Sequence, residues 1–249
     1  MIGDALEYPR RGENWLERLG IGGGLLFLSF IIPLLPQLVV LGHAKRVAAG
    51  TVAGERVPPE FGDWEGLFFD GLLFYAVTLV YTIVPTILLS VVGFVAWFLF
   101  IVLFGAVGAA GGGKAAGVFG LLGTLGFVVL FGVFTLAFTA IYYFVPAALV
   151  HFSVEDDIGA AFDVSTVKRL SFDGRYFRAW LAAFGIGIGA SVATTILAVT
   201  IVGLLAVPFL QFFVQMAVFR IFGDAYADVM DAGPGTDPVA TPGAAADRY

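Results

Sequence analysis

Four long stretches of the chain carry no Asp, Glu, Lys or Arg: 19–44, 71–113, 115–154 and 179–219. A charge at the centre of an inserted helix costs roughly 2.5–3.5 kcal/mol, so charged residues act as rulers for membrane spans. The stretches hold 26, 43, 40 and 41 residues. A helix rising about 1.5 Å per residue needs about 20 residues to cross the hydrocarbon core. The first stretch therefore fits one span, and the second and fourth fit two each, with turns near Gly93 and Gly203. The third reads as one long or tilted span ended near Val145 by Pro146, which has no N–H and crowds the preceding turn. The pattern predicts an all-α, polytopic transmembrane helical bundle of about six spans, over 20–42, 68–91, 93–110, 117–145, 178–200 and 203–222. These form one domain, 20–228, behind a polar segment, 1–19. A hairpin in the third stretch would make seven. A re-entrant hairpin in the first, where Pro33 and Pro36 stand, would restore an even number.

Two connecting segments read as short interfacial amphipathic helices. In the first, Asp63 is a suitable N-cap. Trp64, Leu67, Phe68 and Leu72 then share an apolar face, while Asp63, Gly66 and Asp70 lie opposite, so this helix should feed directly into the second span. In the second, Ser153 precedes Glu155, Asp156 and Asp157, an acidic first turn for a helix reaching Leu170. The triplet Gly111–Gly113 reads as a turn between spans. The tail 229–249, rich in Gly, Pro, Ala and Asp and lacking apolar periodicity, should be disordered.

Composition agrees with lipid as the main solvent. The chain is 59% hydrophobic and 13% charged, with a mean hydropathy of +0.96, where soluble domains run about 45–50% apolar and about 25% charged. The net charge of −6, with Asp favoured over Glu and only three Lys, suggests a halophilic archaeal source and argues against nucleic acid as a partner. The absence of Cys excludes disulfides, thiol nucleophiles and Cys-ligated zinc. Met1 to Arg18 holds seven charges and does not read as a cleavable signal peptide. With six spans, eight basic residues flank the side that holds both termini (Arg10, Arg11, Arg18, Lys168, Arg169, Arg175, Arg178, Arg220). Four flank the other side (Lys45, Arg46, Arg56, Lys114). The positive-inside rule then places both termini in the cytoplasm of a multi-pass cell-membrane protein.

The stretch Pro58-Pro-Glu-Phe-Gly-Asp-Trp-Glu-Gly-Leu-Phe-Phe-Asp-Gly-Leu72 is the most distinctive. With Asp4–Pro9, Tyr143–Leu149, Gly159–Asp163 and Ala217–Gly223, it resembles the signature of an archaeal and bacterial membrane family, domain of unknown function 4013. Gly62 stands where members often carry an acidic residue. The resemblance implies a multi-pass membrane protein and no particular activity.

Candidate chemistry is sparse. His43 and His151 each end a charge-free stretch without metal-ligand spacing, and no nucleotide, metal or other cofactor motif is present. Asp70, at the head of the second span, is the deepest carboxylate. It suits either an interfacial acid stabilised by the helix dipole or an intramembrane functional group. Gln211 and Gln215, one turn apart, suit interhelical hydrogen bonds or, with Gln37 and Ser90, a polar path. Arg220 reads as a snorkelling anchor more than a substrate clamp. Small-residue stripes (Gly185, Gly189 and Ala193; Gly117, Gly120, Gly123 and Gly126) favour close helix packing within the bundle, or between copies in a homo-oligomer. Beyond the lipid bilayer itself, the expectation is a non-enzymatic scaffold or accessory subunit, contacting other membrane proteins through such faces. The alternative is a transporter or channel with its path near Gln37, Gln211 and Gln215.

Overall fold

The structure, a computed structural model, describes residues 2–110 and 114–231. Every regular element among them is helical: α1 (Ile2–Glu7), α2 (Trp15–Leu28), α3 (Leu35–Val52), α4 (Trp64–Ala110), α5 (Lys114–Glu155), α6 (Ile158–Ala161), α7 (Val164–Ser171), α8 (Gly174–Leu197) and α9 (Ile201–Asp231), with a 3-10 turn at Tyr8–Arg10. The all-α membrane architecture holds. Four of these helices, α4, α5, α8 and α9, are long and apolar enough to cross a bilayer, fewer than the six expected.

Two places account for the difference. No turn forms at Gly93, because α4 is continuous for 47 residues. Gly93 instead seats the ring of Phe134, which a Cβ there would meet at 2.7 Å. The first stretch folds as two helices. Between α2 and α3 the chain reverses on Leu34, at φ 75° and ψ −56°, and Leu35 N–H donates to Pro33 O at 3.0 Å. This is a γ-turn, strained for any residue with a side chain. Pro33 and Pro36 remove two donors that a continuous helix would need. The first stretch is therefore a helical hairpin rather than one span: α2 runs in beside α9, with Gly22 against Phe212 and Gly23 against Phe209, and α3 runs back.

The remaining elements follow local rules, with corrections. Pro146 does not end α5, which continues to Glu155, since neighbouring helices make a proline step tolerable in apolar surroundings. Ser153 is not a helix cap: its hydroxyl donates to Leu149 O at 2.6 Å within α5. The chain turns instead at Asp156, at φ 52°, and Asp163 caps α7 by accepting from Ser165 N–H and Thr166 N–H. Val229–Asp231 belong to α9 rather than to a tail. The expected turn at Gly111–Gly113 and the rest of the tail, 232–249, lie outside the described residues. The N-terminal segment is folded in, with Ala5 and Tyr8 fully buried.

The core sits at one end, here termed the base. Residues Ala147–Ser153 of α5 are buried turn after turn, against Ala217, Ile221, Phe222, Ala225 and Tyr226 of α9 and against Phe74 and Val77 of α4. The outer halves of α4 and α5 form a two-helix arm: no residue in the most apolar window of either is buried, against 28% in α9. All described Asp, Glu, Lys and Arg except Lys114 fall in the segments joined at the base. That includes Lys45, Arg46 and Arg56, expected on the opposite side from Arg220. The loop 53–63 lies beside the N-terminal segment and α9: Arg220 Nη1 donates to Glu55 O at 2.8 Å, and Asn14 Nδ2 donates to Glu60 Oε1 at 2.9 Å.

Candidate functional site

The base gathers most of the polar chemistry of the chain around α3. Gly42 and Gly71 let α3 and α4 cross backbone against backbone; a Cβ at Gly42 would stand 1.9 Å from Leu67 O, and one at Gly71 1.7 Å from Leu38 O. That crossing brings Lys45 and Arg46 onto the polar face of α4. Lys45 Nζ lies 2.7 Å from Asp70 Oδ1, pairs also with Asp156, and sits 5.0 Å from the Phe152 ring centroid. Arg46 Nε donates to Asp70 Oδ2 at 2.9 Å, and its Nη2 donates to Asp63 Oδ2 at 3.0 Å. Burial opposes the charge on Lys45, but the two carboxylates outweigh it and hold its pKa above the usual value. The Gly66 N–H, with Arg46, holds Asp63 below the usual carboxylate range.

The distinctive Pro58–Leu72 stretch works as a clamp on this assembly. Arg18, 3% exposed, donates to Pro58 O at 3.3 Å, to Pro9 O at 3.3 Å and to Arg11 O at 2.6 Å. His43, fully buried, has Nε2 2.9 Å from Pro59 O, a contact that requires the Nε2–H tautomer. Phe61 stacks on it with centroids 4.5 Å apart. Burial lowers the His43 pKa to about 4, against the hydrogen bond to Pro59, so its imidazole is neutral near pH 7. On the far side of α5, His151 Nδ1 lies 2.9 Å from Tyr226 Oη.

Asp70 is held by Lys45 and Arg46 rather than standing alone at a helix head. Arg220 is not a snorkelling anchor, because it turns inward: it pairs with Asp224 at 3.0 Å and lies 3.7 Å from the Asp4 carboxylate, with its guanidinium 5.0 Å from the Tyr8 ring centroid. Gln211 Nε2 donates to Thr194 Oγ1 at 3.3 Å. With Ser29 and Gln37 it lines a cavity of about 270 Å³ at the tip of the α2–α3 hairpin. Gln215 and Ser90 do not line that cavity, so the four polar residues do not form one path. The small-residue faces also divide: Gly126 packs on Phe100, whereas Gly117, Gly120, Gly185 and Gly189 meet nothing within 4 Å. Among the described residues, no side chain therefore packs on Gly185 and Gly189 of the α8 stripe. Among the described residues, no group of three or more His, Cys, Asp or Glu is placed to hold a metal ion.

Residues 25–199 match the model of a family described as a protein of unknown function, DUF4013. The chain belongs to that family. Comparison with curated proteins and with solved structures returns no match. The family match covers the last turn of α2, all of α3, the Pro58–Leu72 clamp, both helices of the arm and α8. The sequence points to Asp70 and Arg220 but not to their partners, Lys45 and Arg46 for the first and Asp4 for the second, because side chains so far apart in sequence are paired only by the tertiary fold.

Proposed function

We propose that this chain is a non-enzymatic integral membrane subunit. A cytoplasmic base clamps the α2–α3 hairpin, and the α4–α5 arm offers a face to other membrane-embedded helices. The observation that carries this reading is the division between the two ends. At the base Arg18, Lys45, Arg46 and Arg220 are spent on carboxylates or backbone carbonyls. Along the arm, Leu125, Val129, Val133 and Leu136 are more than half exposed. Lipid offers no hydrophobic drive for helix association, so a helix pair with open faces is a natural place for van der Waals packing with a partner. All described basic residues but Lys114 lie toward the base, which favours a cytoplasmic base in the cell membrane. Photo-crosslinking from Val129 in native membranes tests this. The expected result is one discrete protein adduct that is absent when the crosslinker sits at Val199 of the α8–α9 turn. Lipid adducts alone from both sites would overturn it.

A transporter is the second reading, favoured by the cavity that Ser29, Gln37 and Gln211 line beside a strained turn. It requires solute flux in proteoliposomes that Gln211→Leu abolishes.

A further inference from the structure

We infer that the groove between α4 and α5 beneath α7 binds one anionic phospholipid of the surrounding bilayer, its chain against Pro85, Ile141 and Phe144 and its phosphate on Lys168. The groove encloses about 340 Å³, within the roughly 300–1,000 Å³ range of small-molecule sites. Pro85 comes from α4, Ile141 and Phe144 from α5, and Val164, Val167 and Lys168 from α7. The other polar side chain in the lining, Tyr81, is already engaged, its hydroxyl donating to Ala161 O at 2.5 Å. Lys168 is thus the single cation on an otherwise apolar wall. It is exposed, and none of the ion pairs among the described residues includes it.

The surroundings fix the kind of occupant. α7 is amphipathic, turning Val167 and Leu170 into the core while Val164 and the neighbouring Phe162 and Phe172 stand exposed, the pattern of a helix lying at a membrane surface. A groove that is apolar below and carries one ammonium above, at a helix of that kind, complements an amphiphile with an acyl or isoprenoid tail and a phosphate head. A zwitterionic lipid would fill the same groove but bring a second cation next to Lys168. A soluble anion would meet the ammonium and leave the apolar wall unused. This inference does not depend on the arm having a protein partner.

The test uses the full-length chain, delipidated in detergent and titrated with phosphatidylglycerol, with phosphatidylcholine, and with inorganic phosphate, bound lipid being counted by native mass spectrometry. Wild type should retain one phosphatidylglycerol in preference to phosphatidylcholine and bind no phosphate. Lys168→Gln should weaken phosphatidylglycerol retention about five-fold, and Lys168→Arg should restore it. Ile141→Trp, which fills the groove, should weaken retention of both lipids while leaving the helical circular dichroism unchanged. Equal retention of phosphatidylglycerol by wild type and Lys168→Gln, unchanged retention in Ile141→Trp, or phosphate binding as tight as that of the lipid would each overturn the assignment.

Discussion

The two long hairpins answer the same membrane in different ways. In α8–α9 the apolar run is bounded by Arg178 and Arg220, and the helices meet at a turn over Ala198–Thr200. From either arginine to that turn is about 28–30 Å of helix, the thickness of one hydrocarbon core. In α4–α5 the helices are 47 and 42 residues long, about 60–70 Å, roughly twice that core. The surplus is explained at the base. Leu67, Phe74 and Val77 of α4 and Ala147–Val150 and Phe152 of α5 are apolar because they are buried in protein. From Tyr81, tied to the base through Ala161 O, α4 has about 45 Å left to Ala110, close to a whole bilayer including its headgroups. A charge-free run thus measures apolar surroundings, and only part of those surroundings is lipid.

If the near half of the arm is packed in protein, substitutions there cost far more than those on the lipid-facing hairpin. The largest effect is expected at the α3–α4 crossing. Gly71→Ala drives a Cβ into Leu38 O and should destabilise the fold by about 3 kcal/mol or more. Gly185→Ala on α8, where nothing lies within 4 Å, should change stability by less than about 0.5 kcal/mol; refolding from denaturing detergent measures both. Phe152→Ala empties a fully buried site and should cost about 3 kcal/mol, whereas Leu204→Ala in α9, 57% exposed, should cost little in the same assay.

The pH dependence sharpens the same point. His43 titrates near 4 when folded and near 6.5 when unfolded. Its lowered pKa means the folded state favours the neutral ring. Its contribution is complete above about pH 6.5 and is lost toward pH 4, at no more than about 1.4 kcal/mol per pH unit. His43→Phe should flatten that part of the stability–pH curve, and an unchanged slope would show that the base is wet at this position. A smaller effect than at the α3–α4 crossing is expected from Lys45→Met, about 1–2 kcal/mol. Removing a buried partner costs more in general, but Asp156 is 79% exposed and Asp70 24%, so water takes over part of the loss.

Much of this was legible in the chain. The charge rulers place the α8–α9 hairpin and the α5 span, and Pro33 with Pro36 mark the reversal between α2 and α3. Asp63 stands at the start of α4, its carboxylate accepting from Gly66 N–H at 3.0 Å. What stays hidden is whether an apolar helix faces lipid or protein, since Phe74 in the core and Phe94 on the arm are the same residue in equally apolar neighbourhoods. That ambiguity produced the spurious turn at Gly93. The single span expected over 20–42 in turn sets Lys45, Arg46 and Asp70 across the membrane from Arg220, whereas all four lie at the base. The polar face of α4, Asp63, Gly66 and Asp70, was read as turned away from the apolar side; it meets α3 because Gly42 and Gly71 bring the two backbones together.

Four crossings on one polar base can be read out by placing single cysteines in this cysteine-free chain and labelling sealed, oriented vesicles with a membrane-impermeant maleimide. Gly62→Cys and Ser165→Cys should label from the same side, and Gly93→Cys should be protected from both. Labelling of Gly62→Cys and Ser165→Cys from opposite sides, with Gly93→Cys accessible, would contradict it and restore six spans.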